Sequence, residues 1–191
     1  MSIRPPQHPP RHTARRLASL GISLVELMCS LAVTSVLLGQ AAPALLQLHR
    51  RQSLASAASL LETGVQLARS QAMAINRTVR LTVQAPAGGG GTCYMVHTGS
   101  AAACSCSVDG TAQCGAGVQL FSVAGQPDSA AVRLGNAGRS IVFDAGRGTV
   151  TPTATFVFSD RDGRIVHQIV NIVGRTRSCT PNATPGYPAC A

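Results

Sequence analysis

A single carboxylate inside an otherwise apolar run constrains this chain more than any other feature. From Ile22 to Leu46 it reads ISLVELMCSLAVTSVLLGQAAPALL, and Glu26 is the only charge in that stretch. The 21 residues from Ile22 to Ala42 would span about 32 Å as a helix, close to the thickness of a bilayer core. Residues 1–20 are polar and basic and carry Pro5, Pro6, Pro9 and Pro10, which forbid a stable helix. Arg4, Arg11, Arg15 and Arg16 favour a cytoplasmic N-terminus, although Arg50 and Arg51 beyond the run weaken the asymmetry. An unpaired carboxylate at membrane depth costs on the order of 3 kcal/mol, so Glu26 needs a partner. A secretory signal peptide would place a small-x-small cleavage site beyond the apolar run, and none stands at the usual length.

With 191 residues the chain suits one ordinary core plus appendages. All sixteen basic residues are arginine against seven acids, a formal charge of +9. Without residues 1–21, twelve arginines face the same seven acids, leaving +5. The charge excludes an acidic protein and favours nucleic acid or anionic membrane as a partner, while 45% hydrophobic against 12% charged residues excludes a wholly disordered one. Two tyrosines and no tryptophan argue against a base-stacking platform.

Beyond the apolar run, Leu54, Ala58, Leu61, Val65, Ala68, Ala72 and Ile75 form a helical stripe opposite Gln52, Ser59, Thr63 and Ser70. The helix is therefore expected to continue past the membrane. Short β-branched segments follow and would cover the stripe: Thr78–Gln84, Thr92–His97, Val118–Val123, Ala131–Leu134, Ser140–Asp144, Thr153–Phe158 and Arg164–Val173. The expected fold class is α+β, a long helix packed against antiparallel sheet. The cysteine-rich stretch Pro86–Gly117 reads as the longest irregular region, and its Gly88–Gly91 run as a hairpin loop, because no helix that would complete a phosphate cradle follows. Asp160-Arg161-Asp162-Gly163 lacks the further carboxylates of a calcium loop and reads as a turn.

Cys29 lies in the apolar run; Cys93, Cys104, Cys106, Cys114, Cys179 and Cys190 lie in the polar remainder. In a chain that exports its C-terminal part, six cysteines imply a disulfide framework with fifteen possible connectivities, of which a local Cys179–Cys190 loop is one expected closure. The rival is a metal site from Cys104-Ser105-Cys106 with Cys93, Cys114 and His97. Its spacing departs from paired C-x-x-C knuckles, so no metal and no cofactor is expected.

Arg15-Arg16-Leu17-Ala18-Ser19-Leu20-Gly21 followed by Ile22-Ser23-Leu24-Val25-Glu26-Leu27-Met28 resembles the prepilin signature of type IV pilins and type II secretion pseudopilins. The resemblance implies that a prepilin peptidase cuts between Gly21 and Ile22 and that the new terminus is methylated, with Ile22 standing where phenylalanine is usual. It makes Glu26 the fifth mature residue, which in that family meets the N-terminal amine of a neighbouring subunit, and Pro43 the family's helix-kinking proline. LARSQAMAINRTVRLTV (67–83), IVFDAGRG and IVNIVGRTR further resemble the GspH/FimT group of minor pilins and pseudopilins. The implied organisation is a removed leader 1–21, a membrane and assembly helix 22–50, and a periplasmic or extracellular domain 51–191 with a basic tail 174–191. Other pilins or pseudopilins would be the partners. The inner membrane would hold the chain before it enters a pilus at the cell surface.

Residues 163–191 contain Arg164, Arg175 and Arg177 and no carboxylate. Gly174-Arg175-Thr176-Arg177 is expected to close the last strand, projecting two guanidinium forks about 7 Å apart toward neighbouring phosphates. The run resembles the motif by which FimT-type minor pilins bind DNA in natural transformation, which would make Gly174, Arg175 and Arg177 the site. Arg161 and Arg164 are secondary candidates, since Asp160 and Asp162 can neutralise them. Such binding would be non-sequence-specific. The competing reading is a structural minor pilin or secretion pseudopilin that primes or caps a filament without DNA. No enzyme is expected: His97, His167 and Asp144 sit in no catalytic signature.

Overall fold

The computed structural model describes residues 23–86, 89–107, 109–127, 130–182 and 184–190. The proposed scissile pair Gly21 and Ile22, with the leader before it, lies outside them. A single helix, α1 (Leu24–Ile75), carries Glu26 in its first turn and Pro43 in its interior. Proline has no amide proton, so the Gly39 carbonyl lacks its usual helical donor. The chain divides into two compact units, one ending at Ala44 and the other running from Leu45 to Ala191. In the first, α1 is long and apolar enough to cross a membrane, and Leu24, Val25, Leu31, Val36 and Leu38 are exposed.

In the second unit α1 buries Leu54, Ala57, Ala58, Leu61, Gly64, Val65, Ala68 and Ala72, the expected stripe with Ala57 and Gly64 added and Ile75 only partly buried. The helix stops where Asn76 takes a left-handed φ of 50° and Arg77 N donates to the Ala72 carbonyl at 3.2 Å. That is a Schellman ending, with asparagine in the place more often held by glycine.

Among the described residues eleven strands follow. A five-stranded sheet has the order β5-β2-β1-β7-β8, formed by β1 (Val79–Gln84), β2 (Gly91–Thr98), β5 (Leu120–Pro127), β7 (Ser140–Phe143) and β8 (Val150–Thr151). A four-stranded sheet has the order β11-β10-β9-β6, formed by β6 (Val132–Leu134), β9 (Ala154–Asp160), β10 (Ile165–Val170) and β11 (Thr176–Cys179). All their pairings are antiparallel. One core joins the helix stripe to alternate residues of both sheets, among them Leu81, Val96, Ile141, Phe143, Phe156 and Phe158. The period-2 alternation of a half-buried strand sets this division on β9, where Phe156 and Phe158 point inward and Thr155 and Val157 outward.

Two expectations need correction. Pro86–Gly117 is more ordered than expected: beyond β2, where a strand was expected, it forms a hairpin of β3 (Cys104–Cys106) and β4 (Ala112–Cys114). Disulfides Cys104–Cys114 and Cys93–Cys106 tie this hairpin internally and to β2. Cys93, Met95, Cys104 and Cys106 make a second apolar cluster, which explains why β2 is buried on both faces. The segment Arg164–Val173 is not one strand. β10 ends at Val170, and the Gly174–Arg177 run, instead of closing the last strand, turns the chain and opens β11.

Gly64 faces the Tyr94 ring; a Cβ placed there would stand 3.1 Å from Cε2. Burial pushes the Tyr94 hydroxyl pKa up to about 12. Gly64→Ala should stay near wild-type stability, because a small shift of the ring edge is offset by better helix propensity. Gly64→Val should cost about 1–3 kcal/mol by overpacking, read by chemical denaturation followed by circular dichroism.

Candidate nucleic-acid interface

The turn between β10 and β11 is built around Asn171. Its N–H donates to the Arg175 carbonyl at 3.1 Å and its carbonyl accepts from Gly174 N at 2.9 Å. Its side-chain Oδ1 accepts from Val173 N at 3.2 Å and Arg175 N at 2.9 Å. Gly174 sits at φ 72°, and a Cβ there would stand 3.4 Å from both Arg69 Cδ and Val150 Cγ2. The positive φ is what calls for glycine here, since a Cβ would make only ordinary contact with its neighbours. Ile172 O accepts from Val150 N at 2.7 Å, which fastens the turn to the other sheet.

This brace presents Arg175 and Arg177, both exposed, along a cleft of about 440 Å³ lined by Ile169, Asn171, Arg175, Thr176 and Arg177. Among the described residues no carboxylate lines it. Arg177 stands opposite Ile169 in the β10–β11 register. After β11 the tail folds back: Cys179 and Cys190 are joined, Thr180 pairs with Ala189, and the Thr180 hydroxyl donates to the Ile165 carbonyl at 2.8 Å.

Arg164 is not brought into that cleft. It forms ion pairs with Asp160 at 2.6 Å and Asp162 at 2.8 Å, while Arg50 of α1 meets Asp162 at 2.6 Å. The Arg50 hydrogen bond holds the exposed Asp162 carboxyl below its ordinary pKa. Asp160 also accepts from the backbone N–H of Asp162 and Arg164, so this segment is an arginine-bound hairpin turn and not a calcium loop. Arg161 lies exposed in the same turn.

The alternative metal set is oxidised, since Cys93, Cys104, Cys106 and Cys114 all belong to disulfides. His167 comes within 4.8 Å of Cys179 and Cys190, yet that pair is also bonded and offers no thiolate. The three groups considered for catalysis have separate commitments. His97 contacts the Thr98 carbonyl and the Thr82 hydroxyl, His167 lies by Cys190 Sγ, and Asp144 accepts from the backbone N–H of Gly146 and Arg147.

The match to a known family follows this architecture. Residues 57–174 fit the model of a protein family described as type II transport protein GspH, more than half of the chain. The chain belongs to the GspH family. Comparison with curated proteins and with solved structures gave no match. Membership makes the protein a subunit of the minor pilin and pseudopilin kind, a structural rather than enzymatic family whose members assemble with other pilins or pseudopilins. The GspH match starts within the buried helix stripe and ends at Gly174, so Arg175, Arg177 and the disulfide-closed tail follow the matched region. Sequence reasoning passed over Arg139, which lines a neighbouring cleft with Thr155 and Ile169; its one signal was the Gly-Arg-Ser step before a strand.

His97 is fully buried on β2. A carbonyl can only accept, so Nδ1 carries the proton toward Thr98 O at 2.9 Å and Nε2 accepts from Thr82 Oγ1 at 3.1 Å. Burial lowers its pKa below the ordinary 6.5. The unfolded chain therefore binds a proton that the folded one refuses, and stability falls as pH drops through about 6.5. Melting temperature should decline from about pH 8 to about pH 5, and His97→Gln should flatten that decline.

Proposed function

We propose that this protein is a FimT-type minor pilin that joins a type IV pilus at or near its tip and captures DNA for natural transformation. The observation that carries the reading is the pair Arg175 and Arg177, exposed together on a cleft with no carboxylate among the described residues that line it. Two guanidinium forks suit two phosphates of one strand, and the braced turn and closed tail lower the ordering cost of binding. Contacts of this kind read the backbone and not the bases. One copy binds weakly, and several copies or neighbouring basic subunits supply avidity.

In this reading residues 1–21 are a leader removed by a prepilin peptidase between Gly21 and Ile22, and the new terminus is methylated. Residues 22–50 hold the chain in the inner membrane, with residues 51–191 on the periplasmic side, until it is drawn into a filament. Glu26, which needs a partner at membrane depth, meets the N-terminal amine of a neighbouring subunit, and Pro43 bends the helix. Glu26→Ala should leave cleavage intact by mass spectrometry but strongly reduce the protein recovered in sheared filaments. Wild-type recovery would sink that role.

The competing reading, a structural minor pilin or secretion pseudopilin that primes a filament, is favoured by the description of the matched family. DNA binding by the full chain in detergent micelles separates the two. Wild type should lose affinity steeply with salt, with a log-log slope of about −0.9 per phosphate contacted. Arg175→Ala/Arg177→Ala should abolish most of the binding. A wild type that binds no DNA, even displayed in many copies, would leave the priming role.

A further inference from the structure

The cleft holding Arg175 and Arg177 does not end at β10. Ile169 lines it and also lines a second cleft, of about 160 Å³, bounded by Arg139, Thr153, Ala154, Thr155 and Val170. The sheet register makes the two continuous: Ile169 is paired with Arg177 on one side and with Thr155 on the other. Directly paired residues of antiparallel strands share a face, so Thr155, Ile169 and Arg177 form one row across the outward face of the four-stranded sheet. Among the described residues no carboxylate lines either cleft; each offers arginine together with threonine, namely Arg139, Thr153 and Thr155, then Arg175, Thr176 and Arg177.

Arg139 is free to serve such a surface. Its side chain is exposed, while its backbone is engaged elsewhere: its N–H donates to the Asn136 carbonyl and its carbonyl accepts from Val83 N. The residue is thus anchored by groups that a side-chain substitution does not remove. The acids nearest in sequence are Asp128, outside the described residues, and Asp144, whose Oδ1 accepts the Gly146 and Arg147 amides; Asp144 lines neither cleft.

The geometry points to one phosphate track running from Arg139 across Thr155 and Ile169 to Arg175 and Arg177, with Arg139 as a further contact to the nucleic-acid backbone. This rests on the DNA reading above and extends it from a two-arginine tip to a strand-crossing groove. Arginine and hydroxyl donors around an apolar floor are what sugar-phosphate contact requires. Ile169 would lie beneath the sugars between two phosphate positions. Three guanidinium contacts in place of two predict a salt slope steeper by about one unit.

The test measures anisotropy of a labelled DNA oligonucleotide with the full chain in detergent micelles across a salt series. Arg139→Ala should weaken binding several-fold at low salt and lower the slope by about 1, and Arg139→Glu should weaken it further. Arg133→Ala removes an exposed charge on β6 that lines neither cleft, and should change neither quantity. Melting temperatures close to wild type confirm that each variant is folded. If Arg139→Ala binds like wild type while Arg175→Ala/Arg177→Ala does not bind, the track is wrong and the tail site stands. Equal losses in Arg139→Ala and Arg133→Ala would overturn it in favour of a diffuse charge effect. A wild type that does not bind defeats both readings.

Discussion

Burial of one stripe of α1 beneath two sheets governs the second unit of this protein. The stripe alternates large residues with very small ones: Leu61 and Val65 fill space, while Ala57, Ala58, Gly64, Ala68 and Ala72 let strands come close to the helix backbone. Phe143, Phe156 and Phe158 from both sheets occupy the room this leaves. With so few aromatic residues in the chain, most of its phenylalanine is committed to that one core. The tolerance for change is correspondingly low, since packed interiors register the gain or loss of single methylenes.

The basic turn depends on the same packing at one remove. Arg69 leaves the helix beside the buried Ala68 and Ala72 and lies against Gly174, and it also approaches Gly148 of the β7–β8 turn. Its Nε is buried with no hydrogen-bond partner among the described residues. A polar group in that position carries a desolvation cost, and the helix stripe holds it there. The helix therefore reaches the site through a side chain rather than through its terminus.

Much of this was legible in the sequence. The helical stripe from Leu54 to Ala72 showed in its spacing, and seven of the nine strands of the two main sheets showed as short β-branched runs, whereas the two-residue β8 and the post-turn β11 did not. What escaped depends on contacts distant in sequence or on single dihedrals. The β3–β4 hairpin is short and poor in β-branched residues, and its order comes from disulfides and from Gln84, whose amide donates to the Cys104 carbonyl. The β10–β11 turn was hidden because Asn171-Ile172-Val173 reads as strand by composition. A positive φ at Gly174 and the double use of Asn171 reverse the chain there, leaving Ile172 and Val173 exposed. The candidate site was legible as a motif but not as a surface, since Arg139, just before β7 in one sheet, and Ile169, on β10 in the other, share a cleft only once the two sheets have packed.

Each disulfide closes a short loop, with separations of 13, 10 and 11 residues, and none links α1 to a sheet. The consequence is mechanical. A pull along the chain between α1 and the tail meets no covalent cross-brace between helix and sheets; it is resisted by apolar packing, strand hydrogen bonds and the Arg50–Asp162 ion pair. The sulfur bridges keep the β3–β4 hairpin and the tail in shape under load but do not carry that load. Resistance to tension in this protein thus rests on how its helix is seated.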